Sequence, residues 1–96
     1  MQDLTNQMEI LEAKSEILKA LAHPVRLCIV KGLIETEFCN VTKMQSCLEI
    51  PQSTISQHLT KLKAAGIIEG KREGVKINYS VVNKDARKII KALFEK

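Results

Sequence analysis

"STISQHLTKLKAAG", Ser53 to Gly66, decides how the rest of the chain is read. Ile55, Leu59 and Leu62 recur at i, i+4 and i+7, the spacing that puts three side chains on one face of an α-helix. Stepping about 100° per residue puts Ser53, Thr54, Gln57, Thr60 and Lys61 on the outward face, with Ser56 at its lateral edge. None of these is acidic, and no Asp or Glu occurs from Pro51 to Ile68. A face of small hydroxyls, one amide and a lysine carries the groups that reach phosphates and base edges in a DNA major groove. Ser and Thr suit either, Gln suits adenine, and Lys suits phosphate or guanine. His58 falls at the edge of the core side and is read as half-buried packing rather than as a base reader.

Upstream of this helix, Thr42 with Gln45 three residues later predicts a capping box. It starts a short helix with Met44, Cys47 and Leu48 inward, and "EIPQS" (49–53) is the turn between the two helices. A short helix, a tight turn and a polar-faced second helix suit a helix-turn-helix. Downstream, Gly66 ends the second helix and the period changes from 3.6 to 2. Val75, Ile77, Tyr79 and Val81 alternate with Lys76, Asn78 and Ser80, which predicts a strand with one buried face. Ile67 and Ile68 open an earlier strand, and "REG" (72–74) marks the turn between them. Lys71, Arg72 and Lys76 make this hairpin basic, a wing suited to phosphates or the minor groove.

Further out, residues 3–21 place Leu4, Met8, Leu11, Leu18 and Leu21 at near-helical spacing. "AHP" (22–24) breaks that helix, and Pro24 suits the first turn of another. This one runs to about Glu35 with Leu27, Val30, Leu33 and Ile34 inward and Cys28 at the edge of the stripe. Asn83 is placed to cap a last helix whose face is Ala86, Ile89, Ile90, Leu93 and Phe94. The predicted order is α-α-α-α-β-β-α: mostly α with a β-hairpin wing, one domain over residues 1–96. In so short a chain the first and last helices have little core to cover, and pairing them between two copies buries their apolar stripes.

Charge agrees with a polyanionic partner. Residues 1–50 carry five Lys/Arg and seven Asp/Glu, whereas residues 51–96 carry ten and four, so the basic excess lies in the half with the reading helix. Single-stranded readers need stacking aromatics, and that half has only Tyr79 and, on the last helix, Phe94. The start, "MQDLTNQMEI", has neither the basic nor the apolar region of a signal peptide. No apolar run approaches a membrane span. Three cysteines without a C-x-x-C predict free thiols in a reducing, cytoplasmic setting. His23 and His58 have no carboxylate constellation, there is no glycine-rich phosphate loop, and no cysteine has an evident base. No enzyme and no cofactor are expected.

"LKALAHPVRLCIVKGL", "PQSTISQHLTKLKAAGII" and "KREGVKINYSV" together resemble the ArsR/SmtB-type winged-helix transcriptional repressors over roughly residues 15–82. The resemblance implies a homodimer joined by the first and last helices, a double-stranded operator of approximate two-fold symmetry, and repression relieved by an effector. The family's DNA contacts map onto Ser53, Ser56 and Gln57. A winged-helix protein-interaction module without DNA readout is the alternative reading.

The family's metal sites do not carry over. Residues 83–96 contain Asp85 and Glu95 but no His. Where relatives carry two cysteines at the third helix, this chain has Asn40 and Thr42, and soft metals need several converging thiolates or imidazoles. No metal is expected. Related thiol sensors pair cysteines on the second and last helices; the first of those positions is Lys31 here, and the last helix has no Cys. A disulfide between Cys28 and Cys39 would need a Cα separation below about 7 Å. Otherwise Cys28 and Cys47 are read as small core residues and Cys39, in a connector, as the exposed thiol.

Overall fold

A computed structural model describes residues 4–36 and 40–95, with side chains from residue 6 onward except that of residue 47. Five helices and one hairpin follow the predicted order: α1 (Leu4–Leu21), α2 (Pro24–Thr36), α3 (Val41–Leu48), α4 (Gln52–Ala64), β1 (Ile68–Glu73), β2 (Lys76–Val81) and α5 (Lys84–Phe94).

The core is aliphatic. Val30 and Leu33 of α2, Ile55, Leu59 and Leu62 of α4, and Ile67 just before β1 are all but sealed from water. Each such side chain contributes about 1.5–3 kcal/mol by burial. Ile17, Ala20 and Leu21 of α1, Met44 of α3, Ile68, Tyr79 and Val81 of the hairpin, and Ala86 and Ile90 of α5 close the cluster. Leu27 and Ile34 pack against its margin, while Ile29 joins Val30 and Leu33 inside.

Helix boundaries are set by local chemistry. Asn40 caps α3, its Oδ1 accepting from the Lys43 N–H at 3.0 Å. The capping box expected at Thr42 is absent because Thr42 lies within the first turn of α3. α3 ends at Glu49, whose φ of 57° and ψ of 37° are left-handed. That conformation turns the chain through Ile50 and Pro51 into α4. Asn83 caps α5 as expected, accepting from the Ala86 N–H at 2.8 Å. The Arg87 guanidinium ties α5 to the end of β2 through two bonds to the Val81 carbonyl, at 3.2 and 2.9 Å.

The strands are antiparallel, with Ile68 opposite Val81 and Glu73 opposite Lys76. This register makes Gly74 and Val75 a two-residue turn. Gly74 has φ +64° and Val75 is not in the left-handed region, the pattern of a II′ hairpin. Val75 was expected on the buried face of the strand; it is instead 96% exposed at the wing tip.

Of the apolar stripe read for α1, Leu21 joins the core, whereas Met8, Leu11 and Leu18 are 49%, 55% and 54% exposed. They form a second apolar stripe about a third of a turn from Ile17, Ala20 and Leu21. Leu93 and Phe94 of α5 are likewise exposed. Lys14 of α1 hydrogen-bonds the Asp85 carboxylate of α5, which holds that carboxyl below its ordinary pKa. Lys31 of α2 pairs with Glu35 and lies 5.5 Å from the Phe94 ring centroid.

Candidate nucleic-acid interface

α4 buries Ile55, Leu59 and Leu62 and turns its other side outward. Ser53, Ser56, Gln57, Thr60 and Lys61 are exposed; Thr54 is half-buried at the margin. The Thr60 hydroxyl donates to the Ser56 carbonyl at 2.9 Å, so its proton is engaged within the helix and its lone pairs face out. At the start of α4, Pro51 occupies the cap position and no side chain caps the helix. Unsatisfied N–H groups at such an end attract anions.

Lys71, Arg72 and Lys76 are all exposed on the hairpin. The register separates them, however. Arg72 stands opposite Ile77, on the side of the ribbon shared by Gly70 and Tyr79, while Lys71 and Lys76 belong to the alternate side with Glu69, Glu73, Asn78 and Ser80. Glu73 is partly occupied by Asn78, whose Nδ2 donates to it at 3.1 Å.

His58 does not join the polar face. It is half-buried, and its Nδ1 accepts from Arg26 Nε at 3.2 Å. Its ring centroid lies 4.5 Å from that of His23. Arg26 also donates to the Ala20 carbonyl at 3.3 Å, and His23 Nδ1 accepts the Val25 N–H at 3.1 Å. This cluster anchors the middle of α4 to the start of α2. Burial, then the charges of His23 and Arg26, push the His58 pKa below its ordinary value. The "HPVR" stretch held His23 and Arg26 in view, but nothing local to it pointed to a residue 32 positions away.

Cys28, expected in the core, is exposed on α2. Its position on the α2 surface, beside a small apolar hollow between α2 and α3, keeps it outside the sealed cluster. Cys39, the other member of the Cys28–Cys39 pair, lies outside the described residues, as does the side chain of Cys47. Among the described residues no group of three or more His, Cys, Asp and Glu is arranged to hold a metal. No described helix is long and apolar enough to cross a membrane.

Comparison with known proteins agrees with this geometry. A family model described as a helix-turn-helix domain matches residues 21–71. The transcriptional repressor PagR of Bacillus anthracis is 43% identical over 83 residues, covering 86% of this chain and 83% of PagR. Its crystal structure superposes with a TM-score of 0.83 at 42% identity, over 90% of this chain and 98% of that one. The repressor SmtB of Mycobacterium tuberculosis is 45% identical over 75 residues, 78% of this chain and 55% of SmtB. The crystal structure of the repressor BigR from Xylella fastidiosa gives a TM-score of 0.82 at 30% identity, over 97% of this chain and 94% of BigR. With its helix-turn-helix, basic hairpin and this degree of identity, the chain belongs to the ArsR/SmtB-type winged helix-turn-helix transcriptional repressors.

Proposed function

We propose that the chain is a homodimeric, sequence-specific repressor, one winged domain per copy over residues 1–96, that binds a near-palindromic DNA operator. The observation that carries this reading is the exposed, acid-free face of α4 beside a basic hairpin, held outward by a buried Ile55–Leu59–Leu62 edge. In this reading Gln57 and Ser53 face base edges and the more lateral Ser56 meets the backbone. Thr54, Thr60 and Lys61 serve the flanks, and Lys71, Arg72 and Lys76 hold the backbone on either side of the wing.

The second stripe of α1 and the open end of α5 support a symmetric dimer. A second copy would cover Met8, Leu11, Leu18, Leu93 and Phe94 by the same surface on both sides. Two α4 helices about 34–36 Å apart would then enter successive major grooves.

The test is selection of duplexes from a random-sequence pool by the purified protein, followed by affinity measurements over a range of salt. A selected two-fold motif whose binding weakens with salt, by a slope of about −0.9 per phosphate contacted, supports the reading. Failure to retain any duplex at low salt, together with capture of a protein partner, would establish the interaction-module alternative. Repeating the measurement with reduced, oxidised and metal-loaded protein identifies whether an effector relieves binding.

A further inference from the structure

Between α3, α4 and β2 lies a concavity of about 270 Å³ that neither the helix pattern nor the wing pattern pointed to. Thr42 of α3, Gln52 and Ser56 of α4, and Tyr79 of β2 line it, with Lys76 at its border. Among the described residues no carboxylate lines it. Tyr79 is the telling member. Its side chain is only 8% exposed, and among the described residues no hydrogen bond uses its hydroxyl. Yet no described buried side-chain oxygen or nitrogen lacks a partner. The hydroxyl therefore meets solvent, and Tyr79 is among the residues that line the concavity.

Gly70 makes this placement possible. A Cβ there would come within 2.7 Å of Ile77 Cγ2 and 3.0 Å of Tyr79 Cε1. With no Cβ, the tyrosine ring lies across β1 opposite its cross-strand partner.

We infer that this concavity is a seat for a backbone phosphate of the bound duplex. Three hydroxyls and an amide are neutral donors, suited to the oxygens of a singly charged phosphodiester. Among the described lining residues Lys76 is the one charged group and none is acidic, which favours an anion. Because the donors come from α3, α4 and the wing at once, one phosphate held there sets the angle between the reading helix and the wing. Tyr79 in this role is a positioning residue: it touches phosphate and carries no base information. This inference rests on the DNA-binding reading and extends the interface to Thr42, Gln52 and Tyr79.

The experiment compares Tyr79→Phe, Gln52→Ala and Gln57→Ala on a selected duplex and on random duplex, with thermal melts to establish that each variant is folded. Tyr79→Phe removes one oxygen and leaves the ring packing intact. It is expected to weaken both duplexes alike, by about tenfold, the usual effect of losing a hydrogen bond to a charged group. The salt slope should not change, since no charge is lost. Gln52→Ala should act in the same uniform way, while Gln57→Ala should lower the preference for the selected sequence. A single methylphosphonate that removes the charge at the seated phosphate should cancel the Tyr79→Phe effect. If Tyr79→Phe and Gln52→Ala bind both duplexes as wild type does while Gln57→Ala still loses preference, the DNA reading stands and the phosphate seat is wrong. If the wild-type protein binds no duplex, both fall. Titration with inorganic phosphate, followed by amide chemical shifts, separates a free anion from DNA. Saturable shifts at Thr42 and Tyr79 that Tyr79→Phe abolishes, with DNA affinity untouched, would overturn the inference in favour of a small anionic ligand.

Discussion

Gln57 projects from α4 into solvent, whereas His58, one residue later, folds back beneath Arg26 and against His23. Truncating Gln57 to Ala should relax discrimination at one base pair, by about 1–3 kcal/mol, leaving affinity for random DNA near its original value. Lys61→Ala should weaken all duplexes together and reduce the salt slope by about 0.9. Binding isotherms at several salt concentrations distinguish the two. For His58 the prediction concerns stability. Its Nδ1 accepts the Arg26 bond only when unprotonated, and folding lowers its pKa from 6.5. Below that value the unfolded chain therefore binds more protons than the folded one. The contribution present above it is lost as pH falls toward the folded pKa. Thermal midpoints measured from about pH 7 down to about pH 5 should fall more steeply for wild type than for His58→Asn, which cannot titrate there.

The turn between α3 and α4 shows how an element boundary escapes a sequence pattern. Glu49 takes the left-handed conformation that ordinarily falls to glycine, at a cost of about 1–2 kcal/mol for an L residue. Its side chain is exposed and its N–H satisfies the Gln45 carbonyl at 2.9 Å. Glu49→Gly keeps that bond and relieves the strain, but adds freedom to the unfolded chain. The net expectation is a gain of about 0.5–1 kcal/mol, read from urea unfolding midpoints at constant m. The turn read at "EIPQS" (49–53) does begin where α3 ends, but nothing in the pattern showed that the backbone changes hand at Glu49. Elsewhere the pattern displaced the cap of α3 from Asn40 to Thr42 and placed Val75 in a strand. Each was a shift of one or two residues, because caps and two-residue turns depend on φ and ψ at single positions rather than on periodicity.

For the molecule as a whole, the two stripes of α1 carry the strongest consequence. Leu11→Glu with Leu18→Glu places charge on the exposed stripe and leaves Ile17, Ala20 and Leu21 in the core. Sedimentation should show dissociated subunits that melt as folded protein, since exposed positions away from the core change stability by only about 0.5 kcal/mol. Affinity for a two-half-site duplex should fall by at least about 10²-fold, while a single half-site is bound as before. By itself the sequence determined the order of elements, the inward edge of α4 and the polar face opposite it. Apolar period and charge distribution are local properties that survive without knowledge of neighbours. The tertiary structure alone decided which of the two α1 stripes joins the chain's own core, that Cys28 faces water, that His58 meets Arg26 and His23, and that Tyr79 shares a concavity with Thr42, Gln52 and Ser56. Those outcomes depend on which surfaces meet when helices and hairpin pack together, and residues far apart in the chain carry no periodic signal of where they will touch.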